Sequence, residues 1–251
     1  MTNEGLPSLG NFSEEWVRER GRRLYDDSEA QFDLAAPGPS ALIIVDMIDE
    51  FVKPNWSPYW VPQATAAVPR IRSVIDAFHD VGWPVIYNAY DVSKRGLNFP
   101  VTDSRVPTTM DVAPWADELW QEPKIYEEIS PTEDDLVVLK HCYSGFYGTE
   151  LELILRSLNV STVVIAGTLT NFCCGATARE AFWRGFGVIF GSDINSTDDD
   201  AMHEAELRVL RRGFARIMTA AEIVAGVREA GASDKRRQSP DGDPVEEIPA
   251  A

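Results

Sequence analysis

Three continuous apolar runs punctuate the chain: Ala41-Leu42-Ile43-Ile44-Val45, Leu136-Val137-Val138-Leu139 and Val163-Val164-Ile165-Ala166. Each is short and bounded by polar or turn-forming residues, and the first and third are rich in β-branched side chains. That pattern predicts strands buried on both faces of a parallel sheet. Shorter runs at Pro84-Val85-Ile86-Tyr87, Val188-Ile189-Phe190 and Ala215-Arg216-Ile217-Met218 add further strands. Between them the period changes. Pro62 to Val81 places Val68, Ile71, Val74, Ile75 and Phe78 at i, i+3, i+4 spacing, an amphipathic helix that Gly82 ends. Helices are also predicted over Thr149 to Leu158, Cys173 to Arg184, Asp199 to Arg212 and from Thr219 to about Arg228. The first and last of these open on Thr149-x-x-Glu152 and Thr219-x-x-Glu222, which read as capping boxes. Gly185 reads as a left-handed cap. Strand alternating with helix predicts an α/β fold: a parallel sheet of about six strands, covered on both faces, with right-handed crossovers.

The 251 residues fit one large domain better than two small ones. Its expected limits are 38–228, with an N-terminal arm at 1–37 and a disordered tail at 229–251. In the arm, Glu14 to Glu29 is a charged helical pattern with Trp16, Val17, Leu24 and Tyr25 on its apolar side. It reads as a peripheral helix against the domain or a partner subunit; a partly ordered tail is the plainer alternative. Residues 92–134 are Pro-rich and irregular, with Trp115, Trp120 and Tyr126 embedded. So long a stretch suggests a lid or wall, although its aromatics read first as local core.

Charge narrows the partners. Forty acidic against 23 basic residues give a net charge of −17, which disfavours nucleic acid and anionic membranes. The opening MTNEGLPSLGNFSEEW has neither the basic start nor the apolar core of a secretory signal. No apolar run approaches the roughly 20 residues that span a bilayer. Three cysteines, two of them adjacent, argue against a disulfide framework, so a cytoplasmic protein is expected. His79, His141 and His203 are scattered and no Cys-x-x-Cys occurs, so no metal-binding spacing is visible. On an extended segment His141 would face away from the side of Lys140. His203, beside Asp198, Asp199 and Asp200, reads as part of a solvated face.

Candidate chemistry collects at strand ends. Asp46 and Lys140 each close an apolar run, and Cys173 follows a third run by way of Gly167 and a short crossover. Ligands of open α/β sheets bind at that rim, so the three side chains can converge there. A thiol in the first turn of a helix feels its positive end, which favours the thiolate near neutral pH. Taken alone, Asp46 could equally cap a helix or hold a loop, and Cys142 and Cys174 read as small buried hydrophobes.

The segment Gly167-Thr168-Leu169-Thr170-Asn171-Phe172-Cys173, leading into Thr177-Ala178, resembles the nucleophile turn of the isochorismatase-like cysteine hydrolases. Asp46-Met47 with Phe51, and Lys140 followed by Tyr143-Ser144-Gly145-Phe146, resemble that family's other two signatures; Ile48 departs from a usual glutamine. The resemblance implies a three-layer α/β/α sandwich over roughly 38–228 and a catalytic set of Asp46, Lys140 and Cys173. It further implies an oxyanion hole from the backbone N–H groups of Leu169 and Cys173, with a cis peptide at Thr168-Leu169. Metal-dependent relatives carry an Asp-x-His pair near Asp91. Here no histidine lies between His79 and His141, so no metal and no cofactor are expected. Tyr143-Ser144-Gly145-Phe146 together with Asn88 resembles the ureidoacrylate and N-carbamoylsarcosine amidase branches. That likeness implies cleavage of a C–N bond in a small amide, ureido or carbamoyl compound, with Asn88, Tyr143 and Phe146 contacting substrate, in a dimer or tetramer. A vinyl-ether hydrolase of the isochorismatase type, which needs no thiol, and a non-catalytic member of the fold are the alternatives.

Overall fold

In the computed structural model, residues 7–34, 38–93, 115, 119 and 121–237 are described, the last five as backbone only. The elements in chain order are α1 (Glu14–Asp26), β1 (Ser40–Val45), α2 (Asp49–Val52), α3 (Pro62–Val81), β2 (Val85–Tyr90) and β3 (Leu136–Lys140). They continue with α4 (Leu151–Ser157), β4 (Thr162–Thr168), α5 (Gly175–Trp183), β5 (Gly187–Ser196), α6 (Asp200–Gly213), β6 (Arg216–Met218) and α7 (Ala220–Arg237). Six strands form one parallel sheet in the order β3-β2-β1-β4-β5-β6. The order reverses between β1 and β4, which marks the crevice where such sheets bind ligands.

Period-2 alternation divides the core into two layers. Leu42, Ile44, Val164 and Ala166 face α3 and α7 through Ile71, Ile75, Phe78, Ile223 and Val227. Ala41, Ile43, Val45, Val163 and Ile165 face α4, α5 and α6 through Leu151, Leu155, Ala178, Ala181, Leu207 and Leu210. The three-layer α/β/α architecture follows.

Several local expectations need correction. The sheet is not covered evenly, because Leu136, Val137 and Leu139 of edge strand β3 are exposed. The Thr149 capping box does not form. Thr149 Oγ1 donates to Gly145 O and accepts from Leu151 N–H, and Glu152 is drawn away to Arg184 at 3.1 Å. The Thr219 box does form: Glu222 Oε2 accepts from Thr219 N–H at 2.7 Å, and Glu222 N–H donates to Thr219 Oγ1 at 3.3 Å. α7 passes the expected end near Arg228 and continues through 229 and 232 to Arg237. Ile223, Val227 and Ala230 continue its buried stripe, and Gly231 lies against Val81, so packing extends the helix where composition reads as tail. Residues 238–251 lie outside the described set. Gly82 and Gly185 cap their helices at φ of 72° and 80°.

The arm's helix α1 buries no residue. It is held at its end, where Arg208 pairs with Asp26 at 2.7 Å and the Arg212 guanidinium sits 4.2 Å from the Tyr25 ring. Of the 92–134 aromatics, Tyr126 joins the core and Trp115 is exposed, while Trp120 lies outside the described residues.

Candidate active site

β1 leads directly into Asp46, whose backbone is fixed from both sides. Its N–H donates to Asn88 O at 2.9 Å, and its carbonyl accepts from Thr168 Oγ1 at 3.0 Å. Its φ of 50° is left-handed, a conformation that an aspartate tolerates better than most residues and that turns the chain at the strand's end. Gly167 makes that turn possible on the β4 side: a Cβ there would lie 1.9 Å from Val45 O. Lys140, the last residue of β3, is fully buried and reaches across the end of β2, its Nζ 4.7 Å from the Tyr90 ring centroid. The ammonium meets three partners: Asp46 Oδ2 at 2.7 Å, Cys142 O at 3.0 Å and Cys173 Sγ at 3.5 Å. The structure thus brings Asp46, Lys140 and Cys173 together around one ammonium.

Cys173 does not lie in an ordinary helical first turn. Thr170–Cys174 forms a π turn, which continues into α5. Phe172 N–H and Cys174 N–H both donate to Leu169 O at 3.1 Å. Cys173 N–H falls among the first-turn donors that a helix leaves without an intrahelical partner. The Thr168–Leu169 peptide is cis, as the resemblance implies.

Electrostatics overturn the expectation of a ready thiolate. Burial pushes the Cys173 thiol far above its ordinary range, against the pull of the Lys140 ammonium. Burial likewise raises the Asp46 carboxyl, with Lys140 and the nearby thiol opposing. Neither Asp46 oxygen has a well-aligned hydrogen bond, so what steadies the carboxylate is mainly the proximity of Lys140. Burial alone would drive the Lys140 ammonium toward neutrality, but Asp46 and Cys173 prevail and hold it protonated. The resting thiol is therefore neutral beside the Lys140–Asp46 contact, because desolvation outweighs the helix end. One turn away, burial lifts the Glu50 carboxyl to about 7, helped by Asp49 and Asp46.

The expected substrate contacts divide. Tyr143 packs on Phe172 with ring centroids 5.5 Å apart and lines a cavity of about 410 Å³ with Tyr90, His141, Tyr147, Arg179 and Trp183. Asn88 stands inside a strand. It is buried within β2, where its Nδ2 donates to Val138 O at 3.1 Å and its Oδ1 lies against Gly145. Phe146 is buried in the core, 6.0 Å from the Phe186 ring. Of the three, Tyr143 alone lines this cavity.

Other supporting side chains escaped the sequence reading. Thr177 Oγ1 donates to Cys173 O at 2.7 Å and accepts from Gly145 N–H at 3.0 Å, tying the Lys140 loop to the nucleophile turn. Ser144 donates to Glu180, and Arg179 forks onto Glu206. Thr177 stands inside the nucleophile motif and could have been found there. The others join segments distant in sequence and leave no local signal. The histidines are all engaged: His79 with Asp135 at 2.8 Å, His141 with Asp91 O at 2.9 Å and His203 with Thr170 Oγ1 at 2.8 Å. His203 is thus not a simple solvated face, and His141 turns into the cavity wall. Among the described residues no group of three or more His, Cys, Asp or Glu is arranged to hold a metal ion.

With this sheet and this cluster, the chain belongs to the isochorismatase family, whose Isochorismatase domain pattern matches residues 40–222. It is a hydrolase of that family. It is 29% identical over 196 residues to ureidoacrylate amidohydrolase RutB of Acinetobacter baylyi, covering 71% of this chain and 80% of that one. A 42% match to Nicotinamidase 3 of Arabidopsis thaliana is confined to 87 residues, 35% of this chain and 44% of that protein, so the chain spans less than half of that relative. The crystal structure of a cysteine hydrolase from Pseudomonas syringae pv. phaseolicola superposes with a TM-score of 0.66 at 28% identity, covering 76% of this chain and 93% of that one.

Proposed function

We propose that the protein is a metal-independent cysteine amidohydrolase that cleaves a C–N bond of a small linear amide, ureido or carbamoyl compound. The observation that carries this reading is the single buried ammonium of Lys140, 2.7 Å from the Asp46 carboxylate and 3.5 Å from the Cys173 sulfur. The similarity to RutB, an amidohydrolase by name, supports the substrate class.

Because the thiol rests protonated, its deprotonation accompanies attack. The Cys173 proton passes to Asp46 as sulfur bonds to the substrate carbonyl carbon, and the charge moves onto the carbonyl oxygen. N–H groups of Leu169 and Cys173 stabilise that oxyanion, worth roughly 3–4 kcal/mol per donor. Collapse breaks the C–N bond, and Asp46 returns its proton to the departing nitrogen. Water then gives a proton to Asp46 and adds to the thioester carbonyl. Breaking the C–S bond releases the acid, and the proton held by Asp46 restores the thiol. Lys140 keeps Asp46 anionic between proton transfers and balances the charge at the dry rim.

Ammonia release measured across ureido acids, carbamoyl amino acids, nicotinamide and aryl amides identifies the substrate class, and Cys173→Ala loses that activity. An isochorismatase-type vinyl-ether hydrolase would survive Cys173→Ala. Activity also persists after exhaustive chelation; loss restored by zinc, manganese or iron would refute the metal-free reading. The exposed Trp183, Tyr147 and Phe172, with the open edge of β3, further support a homo-oligomer. A light-scattering mass near the 27.9 kDa of one chain would contradict it.

A further inference from the structure

We propose that His203 is a positioning residue for catalysis: its imidazole fixes the turn that carries both backbone donors of the oxyanion hole. The inference rests on the cysteine-hydrolase reading above and assigns a role to a side chain outside its catalytic set.

His203 stands in the first turn of α6 and reaches two places at once. Its Nε2 lies 3.0 Å from Ser192 O, and its Nδ1 lies 2.8 Å from Thr170 Oγ1. A carbonyl oxygen can only accept, so Nε2 carries the hydrogen; Nδ1 of the neutral ring is then an acceptor. It accepts from the Thr170 hydroxyl, which is fully buried and has no access to water in its place. Thr170 opens the π turn and falls between Leu169 and Cys173, whose N–H groups are the proposed oxyanion donors.

Two further ties come from the same side. Thr197 Oγ1 donates to Asn171 Oδ1 at 2.7 Å, and Arg179 Nη1, paired with Glu206 of α6, donates to Gly175 O at 3.1 Å. The ion pair beside the thiol comes from the ends of β1 and β3, on the other side of β4. Charge at the site thus comes from one side of β4, while the turn, tied to that side through Thr168 and Thr177, is also anchored from the other side by α6 and the residues that follow β5. A shift in the turn moves the N–H groups off the developing oxyanion while leaving Asp46 and Lys140 where they are. Such a change weakens binding of the transition state more than that of the ground state, so it falls on kcat and spares KM.

The probe is p-nitrophenyl acetate, whose ester carbonyl uses the same thiol and the same oxyanion hole. His203→Ala is expected to lower kcat about 100-fold, the order expected for misplacing a catalytic group by about 1 Å, with KM nearly unchanged. Asn places an acceptor where Nδ1 stands, so His203→Asn recovers most of the loss. Gln instead reaches toward Ser192 O, and His203→Gln does not recover it. Adding Thr170→Val to His203→Ala produces little further loss, because the two act through one bond. Equal recovery by Asn and Gln, a change confined to KM, or an unchanged kcat in His203→Ala would overturn the proposal. Thiol-independent release, seen as full activity in Cys173→Ala, would instead overturn the cysteine reading on which it rests.

Discussion

β1 leads into Asp46 and β3 ends in Lys140, the two members of one ion pair, yet the strands hold them by different means. β1 lies at the centre of the sheet, paired with β2 and β4, and all six of its residues are buried. β3 lies at the edge, paired among the described residues with β2 alone, and only Val138 and Lys140 of its five residues are buried. Asp46 is consequently placed by backbone: its N–H and carbonyl are both bonded, and its left-handed φ fixes where the carboxylate leaves the strand. Lys140 is placed by its head group, which must cross the end of β2 to find Asp46, Cys142 O and Cys173. One partner of the pair is held by packing, and the other by charge.

The largest effects should come from breaking the pair. Asp46→Asn removes the proton acceptor and should lower kcat by about 10²–10⁴-fold, the range of general acid–base catalysis. Because the residue's backbone bonds remain, circular dichroism should be unchanged. Lys140→Ala should also abolish turnover. Near-full activity of Asp46→Asn at saturating substrate would remove Asp46 from its role as base.

Stability should separate the two strands in the same direction. Ile43→Ala, at a fully buried position of β1, is expected to cost about 2–5 kcal/mol. Leu139→Ala, at a 43% exposed position of β3, should cost less than about 1 kcal/mol. Urea midpoints compare them, and equal losses would mean that the edge is covered in solution.

A smaller effect concerns charge buried beside β1. Folded Glu50 keeps its proton up to about 7, above the ordinary 4.5, because burial disfavours its anion. Between those values the folded state binds more protons than the unfolded one. The stability this group contributes is thus full below about 4.5 and is lost as pH rises through 7. Glu50→Gln should remove that loss, raising stability at pH 8 relative to pH 5 by on the order of 1–2 kcal/mol, reduced by the group's partial exposure. A variant that follows the parent's pH dependence would show that Glu50 is hydrated.

The same comparison explains what was legible in the chain. Ala41 to Val45 and Leu136 to Leu139 carry similar apolar runs, and both were read as strands with a catalytic residue at the end. Hydrophobic pattern reports the strand, but not its rank in the sheet, so the exposed edge of β3 was invisible. Asp46, Lys140 and Cys173 were legible because local motifs mark them. His203, Glu180 and Glu206 were not, since their bonds close over 27 to 36 residues of sequence. The thiol's protonation is not legible in the sequence for a related reason. A helix end can be read locally, whereas the depth of burial that outweighs it is a property of the whole fold.

One measurement bears on the thioester itself. Protein turning over p-nitrophenyl acetate is quenched in acid, digested, and sequenced by fragmentation mass spectrometry across Cys173-Cys174. A single acetyl group on Cys173, absent from Cys173→Ala along with the activity, is the predicted result. Acetylation of Cys174 or Cys142 instead, or undiminished turnover in Cys173→Ala, would contradict the assignment of Cys173 as the nucleophile.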